Sequence, residues 1–319
     1  MGIKYLNKFL KRECPKAIKQ TTFWELRRKK IVIDTSIYMY RFAMEDNLIG
    51  GMYQLVMILL YYGIIPIFIF DGKPPTEKKE LLDKRREEKN KAEKQHALLL
   101  ERINNTKDYR ERNEIYAELN IIKKKFVRLS KENISNVKYL LKLCGVTFFE
   151  ADGEADELCA KLVIKKRAWA CMSEDMDMFV YGCPRVLRYV SLLNETIVMY
   201  DTKLILKNLN LSLQEFREIC ILSGTDYNIN ETKNANLYTT LHYFNKYKKS
   251  SKKNNNFYEW LEYNTNYLID SCKAYSIYYM FEMSNINIKK YDKQRCINSA
   301  INREELRKFL TVYDFIFLD

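Results

Sequence analysis

At 319 residues the chain can hold one large α/β domain or two modest ones with ample core. Lys and Arg exceed Asp and Glu by 13, a balance that suits a polyanionic partner, a generically basic protein being the plainer alternative. No apolar run approaches a membrane span and the N-terminus lacks a signal-peptide core, so membrane-spanning and secreted classes are set aside. Eight cysteines without a C-x-x-C pair, and only two histidines, argue against zinc and for a reduced intracellular protein.

In chain order, residues 2–12 pattern as a short helix with Ile3, Leu6 and Leu10 inward, ended by Pro15. A basic run from Arg27 to Lys30 precedes a strand over Ile31–Ile33 that delivers Asp34. Ser36–Met44 reads as helical and carries Tyr38, Tyr40 and Phe42, residues expected mainly in core. Met52–Tyr62 is an apolar helix closed by Gly63, and a strand over Pro66–Phe70 delivers Asp71. The β-helix-β order predicts a mostly parallel sheet covered on both faces, an α/β architecture.

After Pro74 and Pro75 the character changes. From Lys78 to Lys125 the chain is dense in charge and poor in apolar positions, with Glu and Lys three and four residues apart. We expect a projecting helical arm, an ordinary solvated hairpin being the simpler description. Leu129–Cys144 is an amphipathic helix ended by Gly145, and Val146–Phe149 is a strand. VLRYVSL and TIVMYD predict a β-hairpin closing the sheet, and Gln214–Leu222 a helix running into SGTDYN. Lys248–Asn256 reads as a flexible basic loop, Phe257–Phe281 as helical, and Glu304–Leu310 as a closing helix. The segments divide as 1–77 and 131–228, the two α/β portions, with the arm at 78–130 and a C-terminal helical region at 229–319.

The acids are placed unusually. AWACMSEDMD runs from a buried strand pattern straight into Glu174, Asp175 and Asp177, and ADGEADE groups Glu154, Asp156 and Glu157. Asp34 and Asp71 each end an apolar run, the pattern of a side chain at the carboxyl edge of a parallel sheet. Crowded carboxylates resist ionising unless a cation sits among them. AWACMSEDMD alone could be a solvated acidic turn, but four acidic groups so placed read as one metal site. With carboxylates as donors, the metal should be hard and oxygen-preferring.

Collected in order, these motifs resemble the flap endonuclease / XPG family of structure-specific 5′ nucleases. MGIKYLNKFL is similar to the family's opening, KKIVIDTSIYMYRF to its first acidic motif and GIIPIFIFDGKPP to its second. EADGEADELCAKLV with ACMSEDMDMFVYG resembles the internal nuclease motif, ILSGTDYN the last acidic motif, and NREELRKFL a C-terminal helix. The resemblance implies a PIN-like 5′ nuclease fold with a helical arm. It implies a two-metal site of Asp34, Asp71, Glu154, Asp156, Asp175, Asp177 and Asp226, taking two Mg²⁺, with Mn²⁺ able to substitute. It further implies Tyr40 stacking near the scissile nucleotide, Lys78 and Arg85 on the scissile phosphate, and Gly2, Lys73 and Lys233 among the nucleic-acid contacts.

Two departures stand out. Where the family carries a glycine-rich turn that grips duplex with a monovalent cation, this chain has ETKNANLYTT and no glycine after Gly224. Asn234 or Asn236 could take up a left-handed backbone, less readily than glycine, and side chains such as Lys233 would have to replace backbone contacts. The Q-x-x-L-x-x-F-F clamp-binding motif does not follow the closing helix, so sliding-clamp binding is not expected. The implied partner is flap, nicked or junction DNA, with RNA an alternative substrate. A 5′→3′ exonuclease and a non-catalytic DNA-binding protein are the other readings. The expected location is a reducing compartment, the nucleus or, for a viral protein, the site of viral DNA replication.

Overall fold

A computed structural model describes residues 2–106, 108–227, 236–250, 256–268, 270–284, 286–292 and 296–317. Helix α1 (Leu6–Glu13) buries Leu6, Phe9 and Leu10, and Pro15 opens a single 3₁₀ turn after it. Strand β1 (Ile18–Thr22) follows, then β2 (Lys30–Asp34), α2 (Thr35–Ala43), α3 (Leu48–Tyr61) and β3 (Ile65–Phe70). The charged segment forms α4 (Lys79–Asn105) and α5 (Tyr109–Lys123), followed by α6 (Lys131–Leu143) and β4 (Thr147–Glu150). Next come α7 (Ala155–Ile164), β5 (Ala170–Met172), the single turn α8 (Asp177–Val180), β6 (Arg185–Ser191), β7 (Thr196–Asp201) and α9 (Thr202–Leu209). The remainder is helical: α10 (Leu213–Leu222), α11 (Leu237–Lys249), α12 (Phe257–Asn264), α13 (Ser271–Phe281), the short α14 (Lys289–Asp292) and α15 (Arg303–Thr311).

The seven strands form one sheet in the order β1-β7-β6-β5-β2-β3-β4. From β6 to β4 all neighbours are parallel, whereas β7 and β1 add on antiparallel. Central parallel strands are covered on both faces and read as continuous apolar runs, which is why Ile31, Val32 and Ile33 are fully buried. The predicted hairpin is present as β6–β7, but it does not close the sheet: β1 pairs beyond it, Ile18 opposite Tyr200 and Thr22 opposite Thr196. The predicted single helical stretch over 257–281 is two helices, α12 capped by Asn256 and α13 capped by Asp270.

The chain divides into two compact units. The first comprises residues 1–34, 58–74 and 147–298, and so contains every strand. Its core gathers α7, α8, α10 and one face of the sheet around Val32, Ile69, Leu158, Phe179 and Ile219. The second comprises residues 35–57, 75–146 and 299–319. There α4 and α5 pair as a helical hairpin with an apolar seam of its own: Ala92, Leu99 and Ile103 against Ile115, Leu119 and Ile122. Phe126 packs on that seam, and Tyr139 of α6 meets Phe309 of α15 edge-on at 5.3 Å. All eight cysteines are free thiols; six are buried, Cys296 is half-buried and Cys272 is exposed.

Candidate metal and nucleic-acid site

Three adjacent parallel strands of the first unit deliver acids at one edge. Asp34 is the last residue of β2 and lies opposite Ile69 of β3, two residues before Asp71. Ile33 pairs with Met172, the last residue of β5, so Ser173 and Asp175 leave the sheet beside Asp34. Ser173 Oγ donates to Asp34 Oδ2 at 3.2 Å and accepts the Asp175 N–H at 3.2 Å, tying the two acids through one hydroxyl. The Asp177 N–H in turn donates to Asp175 Oδ1 at 3.0 Å. Glu174 turns elsewhere: its carboxylate accepts the Tyr189 N–H at 2.6 Å and lies 3.7 Å from the buried Arg188 guanidinium.

Helix α7 supplies the next acids. The first N–H groups of a helix lack intrahelical acceptors, and Asp71 Oδ1 takes that of Ala155 at 2.9 Å, docking the end of β3 onto α7. Glu154 is the N-cap residue and Asp156 lies in the first turn, accepting the Glu157 N–H at 2.7 Å. The Tyr227 hydroxyl donates to Glu154 Oε2 at 2.7 Å and lies 3.1 Å from the Tyr181 hydroxyl. Burial, reinforced by the charges of Asp156 and Glu154, holds the Tyr227 hydroxyl far above its ordinary pKa, and Tyr181 is raised by burial and Asp156. Both remain protonated donors. Asp226 sits in the turn after α10, where Gly224 takes φ +100°, a conformation side chains resist.

Gly2 closes one side of this edge. A Cβ there would stand 2.6 Å from Asp175 Oδ1 and 2.8 Å from Asp177 Oδ1, and its φ is +77°. A residue expected to touch nucleic acid therefore also packs directly on the acids. Lys73 is exposed in the loop after Asp71, its N–H bonded to the Asp152 carbonyl at 3.2 Å.

The donor chemistry fits a hard divalent cation. All seven sequence-predicted ligands are carboxylates, and the nearby Cys159 thiol is pushed up to about 11 by burial, which also raises that of Cys171 well above the ordinary thiol value. Neither offers a thiolate to a softer metal. Among the described residues no group of three or more His, Cys, Asp or Glu side chains is close enough together to hold a metal ion as they stand. The carboxylates are spaced by the backbone and hydroxyl donors named above, as like charges favour.

The predicted phosphate and base contacts lie in the second unit. Lys78 ends a 3₁₀ turn ahead of α4 rather than sitting within the helix, and Arg85 is two turns on, so both share one face. Tyr40 of α2 is half-buried beneath the Lys89 ammonium, 4.8 Å from the ring centre, whereas Tyr38 is core. Lys89 donates to the Val127 carbonyl at 2.9 Å, and its pKa is lowered by burial and by the charges of Arg128 and Arg85. Lys89 and Arg128 belong to none of the sequence motifs; the i, i+4 spacing from Arg85 is the signal that points to Lys89. A concavity of about 450 Å³ in the same unit is lined by Ala43, Asp46, Lys123, Phe126, Arg128 and Tyr313 among others, and includes none of the seven acids. Lys233 and Asn234 lie outside the described residues, as do 251–255 of the basic loop. Asn236 is not left-handed: at φ −155° it is extended and caps α11, its Oδ1 accepting from Tyr238 and Thr239 N–H.

The XPG N-terminal domain matches residues 1–92 and the XPG I-region residues 145–226, so the two together take in all seven sequence-predicted ligands. The chain belongs to the flap endonuclease / XPG family. Flap endonuclease 1 of Zea mays is 33% identical over 248 residues, 71% of this chain and 62% of that protein. The alignment therefore spans just under two-thirds of the length of that relative. The catalytic core of Rad2 in complex with DNA substrate superposes with a TM-score of 0.67 at 21% identity, covering 96% of this chain and 93% of that one. Flap endonuclease-1 from Methanococcus jannaschii gives 0.65 at 24% identity, covering 99% and 94%. These two likenesses establish that the XPG-family chain shares their fold, the mixed sheet and helices described above.

Proposed function

We propose that this XPG-family chain is a structure-specific 5′ nuclease. It hydrolyses DNA phosphodiester bonds at 5′ flaps, nicks or single-strand/duplex junctions, in replication, repair or recombination. The observation that carries this reading is the delivery of Asp34, Asp71 and Asp175 from adjacent parallel strands to one sheet edge, beside the acids of α7.

Asp34, Asp71, Glu154, Asp156, Asp175, Asp177 and Asp226 would hold two Mg²⁺, or Mn²⁺ in their place. Such ions, when bound, lower the pKa of water and offset charge on the leaving oxygen. The chain's own groups do the rest. Ser173 fixes the rotamer of Asp34, the α7 amide fixes Asp71, and the protonated Tyr227 orients Glu154. Lys78 and Arg85 stabilise charge developing on the scissile phosphate, and Tyr40 stacks on a neighbouring base. Gly2, Lys73 and Lys233 contact the nucleic-acid backbone. The products are a 5′-phosphate and a 3′-hydroxyl. Eight free thiols fit a reducing compartment, the nucleus or a viral replication site, and among the described residues no helix is long and apolar enough to cross a membrane. Flexible single-stranded RNA is a second reading, favoured by the glycine-free stretch after Gly224.

The test is cleavage of 5′-flap DNA, nicked duplex and single-stranded RNA, each with Mg²⁺ and with EDTA. Flap or nick cleavage that requires Mg²⁺ is expected. Full activity in EDTA sinks the metal reading, and cleavage of RNA alone replaces the substrate.

A further inference from the structure

The edge of the sheet opposite the acids has the reverse character. Strands β6, β5, β2 and β3 are adjacent and parallel, so their amino ends lie side by side. The chain entering them is cross-tied there: Trp169 N–H donates to the Lys30 carbonyl at 2.7 Å, Ile65 N–H to that of Lys29 at 3.0 Å, and Arg28 N–H to that of Gly63 at 2.9 Å. Two basic runs therefore meet at one place, RRKK at 27–30 before β2 and KKR at 165–167 before β5. Arg185, the first residue of β6, joins them, its guanidinium donating to the Trp169 carbonyl at 3.2 Å.

Aromatic rings are interleaved with these cations. Trp24 is 62% exposed, with the Arg27 guanidinium 5.1 Å from its ring centre. Trp169 is half-buried between the Lys29 ammonium at 5.4 Å and the Arg185 guanidinium at 5.0 Å. Tyr61 is 82% exposed and meets Tyr62 edge-on. The acids close by are already engaged: Glu25 by Lys19 at 2.8 Å, Glu195 by the Tyr62 hydroxyl, and Asp201 as the cap of α9. The α7 C-terminus favours the cations at 165–167 through its dipole. That accounts for one run, not for the second run at 27–30 or for the exposed indole and phenol beside it.

We propose that this amino edge is a second nucleic-acid surface, taking single-stranded nucleic acid without regard to sequence. Lys and Arg side chains neutralise successive phosphates, while Trp24 and Tyr61 offer faces on which unstacked bases lie. A duplex presents phosphates but keeps its base faces stacked, so the exposed rings favour a single strand. The five residues of β2 separate Lys30 from Asp34 by about 13 Å, so a strand held here need not enter the acidic edge. The inference does not depend on the chain being a nuclease.

The experiment measures binding of a short oligothymidylate in EDTA, where no metal-dependent cleavage occurs, by anisotropy and by tryptophan fluorescence. The comparison ligands are an abasic oligonucleotide of equal length and heparin. The variants are R27E/R28E/K165E/K166E, the neutral R27Q/R28Q/K165Q/K166Q in case the reversal does not fold, and Trp24→Phe. Either charge variant should weaken oligothymidylate binding by about tenfold or more. Trp24→Phe should abolish most of the quenching, and the abasic strand should quench little. Cleavage of a minimal flap substrate in Mg²⁺, assayed separately, should stay within about twofold of the parent chain, since these side chains lie away from the acids. Unchanged oligothymidylate affinity in both charge variants overturns the proposal. So does heparin binding as tightly as oligothymidylate with no quenching by either, which would make the edge a general acidic-polymer patch.

Discussion

At the scale of single residues, Asp34, Asp71, Glu154, Asp156 and Asp175 each accept a hydrogen bond from a neighbouring hydroxyl or backbone N–H that sets the carboxylate's direction. Asp175→Ala or Asp177→Ala should abolish cleavage and leave DNA affinity within about twofold, because affinity rests on distributed Lys and Arg contacts. Single-turnover cleavage and gel-shift titration of the same preparations check this. Tyr227→Phe removes the hydroxyl that orients Glu154 while keeping the ring packed edge-on against Phe281 at 5.4 Å. Loss of such a supporting hydrogen bond should raise the Mg²⁺ concentration for half-maximal rate about tenfold, read from a metal titration at saturating substrate. Asp34 and Asp71 were legible in the sequence because each closes an apolar run, a pattern with a physical cause at a sheet edge. Ser173 and Tyr227 were not: a hydroxyl carries no periodic signal, and its partner is set by contacts distant in sequence.

At the scale of elements, the charged segment is a hairpin whose two helices close on a narrow apolar seam. Its ion pairs, Arg102–Glu111 and Arg128–Glu93, are exposed, so its stability rests mainly on that seam. Lys78→Ala and Arg85→Ala should each slow the single-turnover rate by about tenfold or more while raising the dissociation constant less than about threefold. Equal losses in both would make these residues peripheral contacts. Residues 78–125 were legible as helical from their i, i+4 charges, and the parallel strands from their unbroken apolar runs. Strand β1 was not, since among Ile18–Thr22 only Thr21 is buried and the strand exists through its pairing with β7. Edge strands of this kind take their identity from a neighbour, not from their own pattern. The break between α12 and α13 was hidden for a related reason: Thr265 caps back onto the Leu261 carbonyl through both its N–H and its hydroxyl, in a stretch otherwise rich in tyrosine.

At the scale of the whole molecule, charge is sorted by place along the sheet: carboxylates at one edge, cations and rings at the other. Duplex affinity should therefore fall steeply with total salt. With no glycine after Gly224 to bring backbone N–H groups onto phosphates, exchanging K⁺ for Na⁺ at fixed ionic strength should change duplex affinity by less than about twofold. Titrations of nicked duplex in matched KCl and NaCl, repeated with Lys233→Ala, decide this. A marked K⁺ preference would show a cation-binding turn made without glycine.

The buried cysteines give the molecule an internal tally of its own unfolding. Burial lifts the Cys14 thiol to about 11 and that of Cys144 to about 12, and it also raises Cys171, Cys183 and Cys220 well above the ordinary thiol value, so all stay as unreactive thiols at neutral pH. Cys272, exposed on α13, should react with a colorimetric disulfide reagent within seconds to minutes, and half-buried Cys296 more slowly. Eight equivalents should appear only in denaturant. A brief maleimide reaction on the native chain, stopped before Cys296 responds, would then place a fluorophore on α13 without engineering, and the buried thiols would report, one by one, which part of the first or second unit opens first.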